Sequence, residues 1–248
     1  MQFQNLLASG CSFTQDAIGG IPPTSKTPGG CSFIDDPEYP AAPCRSWASF
    51  LSRWLNVTSF ANFAGGGHGI VYTKKTIIDA LEKYNYHPNN TLVIFNITSP
   101  GRFDLFCDWD SEYKSSMVYW DQTHFDYTVI EKYSPPWKDE FSKLSVDEIN
   151  QRSIDALSEL FTYLKTNNYQ FVFTVMAEFT NIPNLPLVHK YSDHMVTFGS
   201  YQGMYEYAKA NNLLLSDDLH PTTEAHKQFA KFAYDFIQKK SPVASRAI

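Results

Sequence analysis

Apolar residues recur along this chain in two alternating rhythms. Short, mostly apolar runs at 3–8, 57–63, 91–97 and 169–176 read as buried strands, with Leu213-Leu214-Leu215 as a further short one. Between them the apolar positions return at helical spacing. Trp47, Phe50, Leu51, Trp54 and Leu55 predict an amphipathic helix over 46–56, and a second is expected from about 69 to 85. Ser145-Val146-Asp147-Glu148 is a capping box, in which serine and glutamate satisfy each other's free N–H groups. The helix it opens turns Ile149, Leu157, Leu160, Phe161 and Leu164 inward. Two more helices are expected over 202–211 and about 222–238, the last burying Ala225, Phe229, Phe232, Ala233 and Phe236. Strands alternating with helices imply βαβ units, hence an α/β fold with a parallel sheet covered on both faces.

Two stretches break the rhythm. Residues 15–45 hold Gly19-Gly20, Pro22-Pro23, Gly29-Gly30 and Pro40, a run of breakers that predicts irregular structure. Residues from about 99 to 144 are also expected to be irregular and are dense in rings, among them Phe103, Phe106, Trp109, Tyr113, Tyr119, Trp120, Phe125 and Tyr127. Most of these rings are expected to pack on one another, with one or two left to stack a sugar ring or an acyl chain. No internal repeat or linker divides the chain, so residues 1–248 read as one domain with two long loop insertions.

Composition narrows the partners. A length of 248 residues allows one sizeable core. The formal net charge is −6 and no stretch is rich in lysine or arginine, which argues against a nucleic-acid partner. No apolar run approaches the roughly 20 residues of a membrane span, so no membrane partner is expected. Cys11, Cys31, Cys44 and Cys107 form no Cys-x-x-Cys pair and no zinc-type spacing with histidine. The start of the chain lacks the basic and apolar regions of an export signal. A cytoplasmic location with reduced thiols is therefore expected, although Cys31 and Cys44 share one loop and can bridge under oxidising conditions. On that reading Asn56-Val57-Thr58, Asn89-Asn90-Thr91 and Asn96-Ile97-Thr98 match the glycosylation pattern by chance. His189, Asp193 and His194 sit in a polar stretch where such groupings arise without a metal, and no cofactor is expected.

The candidate chemistry sits at the two ends. In Leu6-Leu7-Ala8-Ser9-Gly10-Cys11-Ser12-Phe13-Thr14 an apolar strand runs into a glycine, and a serine follows on the turn. The edge past the carboxyl ends of parallel strands is where ligands bind. A serine there becomes a nucleophile only if a base reaches it. Asp217-Asp218-Leu219-His220-Pro221, just before the last helix, offers that base. The spacing of Asp217 and His220 lets a carboxylate hold the imidazole Nδ1 while Nε2 faces outward, the arrangement a serine–histidine–aspartate system needs. Asp218 competes for the orienting role, and spacing favours Asp217. His226, one turn into the last helix, reads as structural.

Gly10-Cys11-Ser12-Phe13 resembles the first block of the SGNH, or GDSL-like, hydrolases, with Cys11 where aspartate is more usual. Asn62-Phe63-Ala64-Gly65-Gly66-Gly67 is similar to the second block, and Asp217-Asp218-Leu219-His220-Pro221 to the last. The resemblance implies a three-layer α/β/α, flavodoxin-like fold, with Ser12 as nucleophile, His220 as base, Asp217 orienting it and the Gly67 N–H in the oxyanion hole. One block departs. Where the family carries Gly-x-Asn-Asp, this chain reads Thr98-Ser99-Pro100-Gly101, and Pro100 has neither amide side chain nor N–H. Loss of one oxyanion donor costs ~3–4 kcal/mol. Either Ser99, Arg102 or Asn96 substitutes, or hydrolysis is slow. A guanidinium such as that of Arg102 can hold an anionic oxygen, and its competing reading is a surface ion pair.

Three functions follow as alternatives. The first is an acyl esterase, preferably releasing a small acyl group from a carbohydrate. The second is a ligand-binding protein on the same scaffold with weak or no catalysis. The third is phosphate-ester or nucleotide chemistry around Gly65–Gly69 and Arg102, where His68 either lines the site or is solvated. That stretch lacks the spaced lysine of a P-loop and the Gly-x-Gly-x-x-Gly pattern.

Overall fold

A computed structural model describes residues 3–15, 46–107, 112–117, 144–178, 185–215 and 220–240. In chain order its strands are β1 (Asn5–Ser9), β2 (Ser59–Asn62), β3 (Thr91–Ile97), β4 (Arg102–Cys107), β5 (Glu112–Met117) and β6 (Gln170–Val175). Its helices are α1 (Trp47–Trp54), α2 (Ile70–Lys83), α3 (Val146–Thr166), α4 (Pro186–Lys190), α5 (Met204–Ala210) and α6 (Thr223–Lys240).

Four strands form an all-parallel sheet in the order β2-β1-β3-β6. Beyond β6, single parallel bridges from Phe173 to Met195 and from Val175 to Gly203 extend that edge without completing another strand. This is the flavodoxin-like winding. Side chains alternate across the sheet, so each strand feeds two cores. Leu6, Ala8, Phe60, Leu92, Ile94 and Val172 belong to one core, with residues of α1, α5 and α6. Leu7, Val93, Phe95, Phe171, Phe173 and Val175 belong to the other, with residues of α2 and α3. The architecture is three-layer α/β/α. β3 is buried at every position because both of its faces are covered.

The local signals hold at α3: the Glu148 N–H donates to Ser145 Oγ at 3.2 Å, and the Ser145 N–H donates to the Glu148 carboxylate at 2.7 Å. Asn56, Asn85, Asn168 and Asn212 follow the C-caps of α1, α2, α3 and α5 and all have positive φ, between 52° and 59°. Asparagine tolerates the left-handed conformation that turns the chain out of a helix.

Two expectations need correction. The stretch 99–144 is not irregular throughout, because β4 and β5 pair antiparallel within it, Arg102 opposite Met117. Leu213-Leu214-Leu215 is no strand. Instead Leu214 makes a single antiparallel bridge with Pro221, and the Leu215 N–H donates to the His220 carbonyl at 2.8 Å. The segment expected to extend the sheet therefore braces the backbone that carries His220. Cys31, Cys44 and most of the aromatic run lie outside the described residues. Asn96 is buried within β3, so its glycosylation pattern is indeed a chance match.

Candidate active site

β1 delivers Ser12 to the carboxyl edge of the sheet through a tight turn. Gly10 adopts φ +143°, and a Cβ there would lie 3.0 Å from Asn96 Cβ and 3.1 Å from Thr14 Oγ1. The Cys11 carbonyl then accepts from the N–H groups of Thr14 and Gln15 at 2.8 and 3.1 Å. Neighbouring elements hold this turn. Asn62, at the end of β2, donates its amide to the Thr14 carbonyl at 2.7 Å, and Trp47 Nε1 donates to Thr14 Oγ1 at 3.1 Å. Cys11 Sγ donates to Asn96 Oδ1 at 3.3 Å, and Asn96 Nδ2 donates to Thr174 Oγ1 at 2.9 Å. Gly10→Ala is expected to lower the unfolding free energy by about 1–3 kcal/mol through strain at that φ, read as a shifted urea midpoint at constant m-value.

Across 208 residues of chain, His220 Nε2 lies 2.9 Å from Ser12 Oγ. That is within reach for proton transfer. The imidazole rests beside the Phe13 ring, centroids 5.7 Å apart, and its Nδ1 is shut away from solvent. Asp217 and Asp218 lie outside the described residues.

A second loop closes on the serine turn from β2. The Gly65 N–H donates to the Gly10 carbonyl at 3.1 Å. Gly67 has φ +81° with open space where a Cβ would be. His68 folds back over Gly65, stacks on Tyr72 with centroids 3.7 Å apart, and lies 3.9 Å from the Asp104 carboxylate. Burial, aided by the Arg102 charge, lowers its pKa to about 4, so the imidazole is neutral near pH 7. The solvated reading of His68 does not hold.

The three candidates for the missing donor are dispersed. Asn96 is buried within the sheet and its amide is directed to Thr174 and Met204. Ser99 is half-buried on the turn after β3, with its Oγ accepting from the Gly101 N–H at 3.3 Å. The Pro100 carbonyl accepts from Ser153 Oγ at 2.7 Å. Arg102 is 5% exposed, which excludes a surface ion pair, and its Nη1 donates to the His68 carbonyl at 3.2 Å.

His226 is fully buried. Its Nδ1 accepts the Trp47 N–H at 3.3 Å, while its Nε2 has no hydrogen-bond partner among the described residues. His194 stacks on Phe171 and its Nδ1 lies 2.9 Å from the Phe171 carbonyl. Among the described residues no group of three His, Cys, Asp or Glu side chains is placed to hold a metal. No helix among them is long and apolar enough to cross a membrane. Asp104, absent from the sequence reading, proves to be buried beside the loop; the polar–apolar alternation of Arg102-Phe103-Asp104-Leu105 was the available signal.

No family model and no curated protein matches the chain. Solved structures similar to it include the psychrotrophic esterase EstA from Pseudoalteromonas sp., at 13% identity over 95% of this chain and 97% of that one, with a TM-score of 0.49. A member of the lipolytic protein G-D-S-L family from Veillonella parvula matches at 8% identity over 95% and 98%, with a TM-score of 0.48. A carbohydrate esterase matches at 13% identity over 96% of this chain and 69% of its own, with a TM-score of 0.46.

Proposed function

We propose that this chain is a serine-dependent ester hydrolase of the SGNH, or GDSL-like, type. The observation that carries the reading is the 2.9 Å contact between Ser12 Oγ and His220 Nε2 at the carboxyl edge of the sheet. His220 takes the Ser12 proton as Oγ attacks an acyl carbonyl, and Asp217 orients the imidazole through Nδ1. The N–H groups of Ser12 and Gly67 receive the developing oxyanion. Collapse of the tetrahedral intermediate expels the alcohol, which takes the proton back from His220. Water then attacks the acyl-enzyme with His220 again as base, releasing the acid and restoring Ser12.

Ser99 is the side chain we assign to the acyl oxygen in place of the missing amide. Its Oγ accepts from the Gly101 N–H, which leaves its own proton to donate. Ser99→Ala is expected to lower kcat about a hundredfold with KM little changed, because the contact forms as charge develops. Steady-state kinetics on an activated acetate ester measures this. We assign the substrate as a small acyl ester, with an O-acetylated carbohydrate preferred because the sequence of the insertion is dense in residue types that stack on sugar rings.

A fluorophosphonate probe tests the reading, alongside a panel of aryl, lipid and acetylated-sugar esters. Labelling of the wild type that disappears in Ser12→Ala is expected. Pro100 and the committed amide of Asn96 favour a second reading, a binder with little catalysis, and an unlabelled wild type would support it. Metal-dependent phosphate-ester cleavage surviving Ser12→Ala would overturn both.

A further inference from the structure

The loop assigned to the oxyanion is held by a strand that no part of the proposed reaction uses. α2 begins directly after this loop with Gly69 as its N-cap, which supplies no side-chain cap, and its first turn holds no acidic residue. Helix starts leave N–H groups without intrahelical partners. Asp104, from β4, fills this one: Oδ1 accepts from the Gly69 N–H at 2.8 Å and Oδ2 from the Tyr72 N–H at 2.9 Å. The carboxylate side chain is wholly buried, a placement the positive end of a helix favours. Two residues earlier in the same strand, and so on the same face, Arg102 Nη1 donates to the His68 carbonyl at 3.2 Å.

The strand packs on the loop closely enough that only glycine fits at position 69. A Cβ on Gly69 would meet Asp104 Oδ2 at 2.7 Å, the Arg102 carbonyl at 2.9 Å and Arg102 Cβ at 3.0 Å. Gly67 is thus clamped from two sides. Upstream, Gly65 is bonded to Gly10 of the serine turn; downstream, His68 and Gly69 are bonded to β4. Gly67 itself has the positive φ that makes its N–H direction dependent on how its neighbours are fixed.

We infer that β4 pre-organises the oxyanion loop and that Asp104 is the positioning residue. The inference rests on the hydrolase reading above. It also gives Arg102 a role: its charge holds the loop through the His68 carbonyl. A donor aimed at developing charge works only if already in place, and an ångström of misplacement can cost on the order of a hundredfold in rate.

The test is the rate at which a fluorophosphonate labels Ser12 in the full chain, compared with the fraction finally labelled. In Asp104→Ala the second-order rate is expected to fall at least about tenfold while the endpoint stays near that of the wild type. KM for a neutral ester should move less than about twofold. Asp104→Asn, which keeps an acceptor for the Gly69 N–H, should recover part of the rate. A carboxylate that merely stabilises α2 would give the opposite pattern, a lowered endpoint at an unchanged rate, and that result overturns the inference. Should the alanine variant fail to fold, Asp104→Asn and Arg102→Lys carry the same comparison, and wild-type rates in both would overturn it. Absence of labelling in the wild type sinks the hydrolase reading itself and is distinguishable from either outcome.

Discussion

Ser12→Ala is expected to lower kcat for ester hydrolysis by a factor on the order of 10⁴ to 10⁶, and His220→Ala to lower it by about as much. The two groups act as one unit. An unassisted serine hydroxyl is a poor nucleophile, and an imidazole without the serine has no proton to take. The double variant should therefore lose little beyond either single one, in contrast to the additive loss of independent sites. KM should change far less than kcat, because the loop at Gly67 and the rest of the carboxyl edge remain. The check is steady-state hydrolysis of an activated acetate ester, with each variant's fold verified by its circular dichroism. Retention of a tenth of wild-type activity in Ser12→Ala would remove Ser12 from the chemistry and the proposed acyl transfer with it.

This effect was foreseeable because the pattern of the sequence already implied where Ser12 and His220 meet. Leu6–Ala8 and Thr91–Ile97 are apolar runs of strand length, and such runs alternating with amphipathic helices force a parallel sheet whose carboxyl ends share one edge. Ser12 follows the first strand and His220 precedes the last helix, so both fall on that edge. The helix ends carry a local signal of their own, since Asn56, Asn85, Asn168 and Asn212 each take the left-handed turn.

What escaped depends on contacts between segments far apart in the chain. The density of rings in 99–144 hid the alternation of Arg102–Cys107, and the intervening 108–111 carries no Asn-Gly or Asp-Gly turn to announce a hairpin. Without the hairpin, nothing in the sequence places Asp104 at the start of α2, 35 positions upstream, or buries Arg102 against His68. Leu213–Leu215 failed for a related reason. Three leucines fit a buried strand, but here the segment folds against Pro221 and braces His220. Asp217, the third member of the proposed triad, lies outside the described residues.

His226 connects the active site to the stability of the fold. Its Nδ1 accepts the Trp47 N–H, so its proton sits on Nε2, which is buried with no partner among the described residues. Burial first, and then the nearby His220, lower its pKa from 6.5 to about 4. The native value lies below the unfolded one, so as pH falls the unfolded chain takes up this proton first. Stability from this group is complete above about pH 6.5, declines through the window down to pH 4, and is then lower by about 3 kcal/mol. His68, also lowered to about 4 but with a side chain 19% exposed, adds a smaller loss in the same direction. Trp47 also donates its indole N–H to Thr14 Oγ1 in the serine turn, at 3.1 Å. Urea unfolding of the wild type at pH 7.5 and 5.0 should differ by about 2 kcal/mol or more. His226→Gln keeps an acceptor for Trp47 but cannot titrate, and its stability should fall by about one proton's worth less over the same interval. Equal slopes in wild type and variant would show that His226 does not sense pH through the fold.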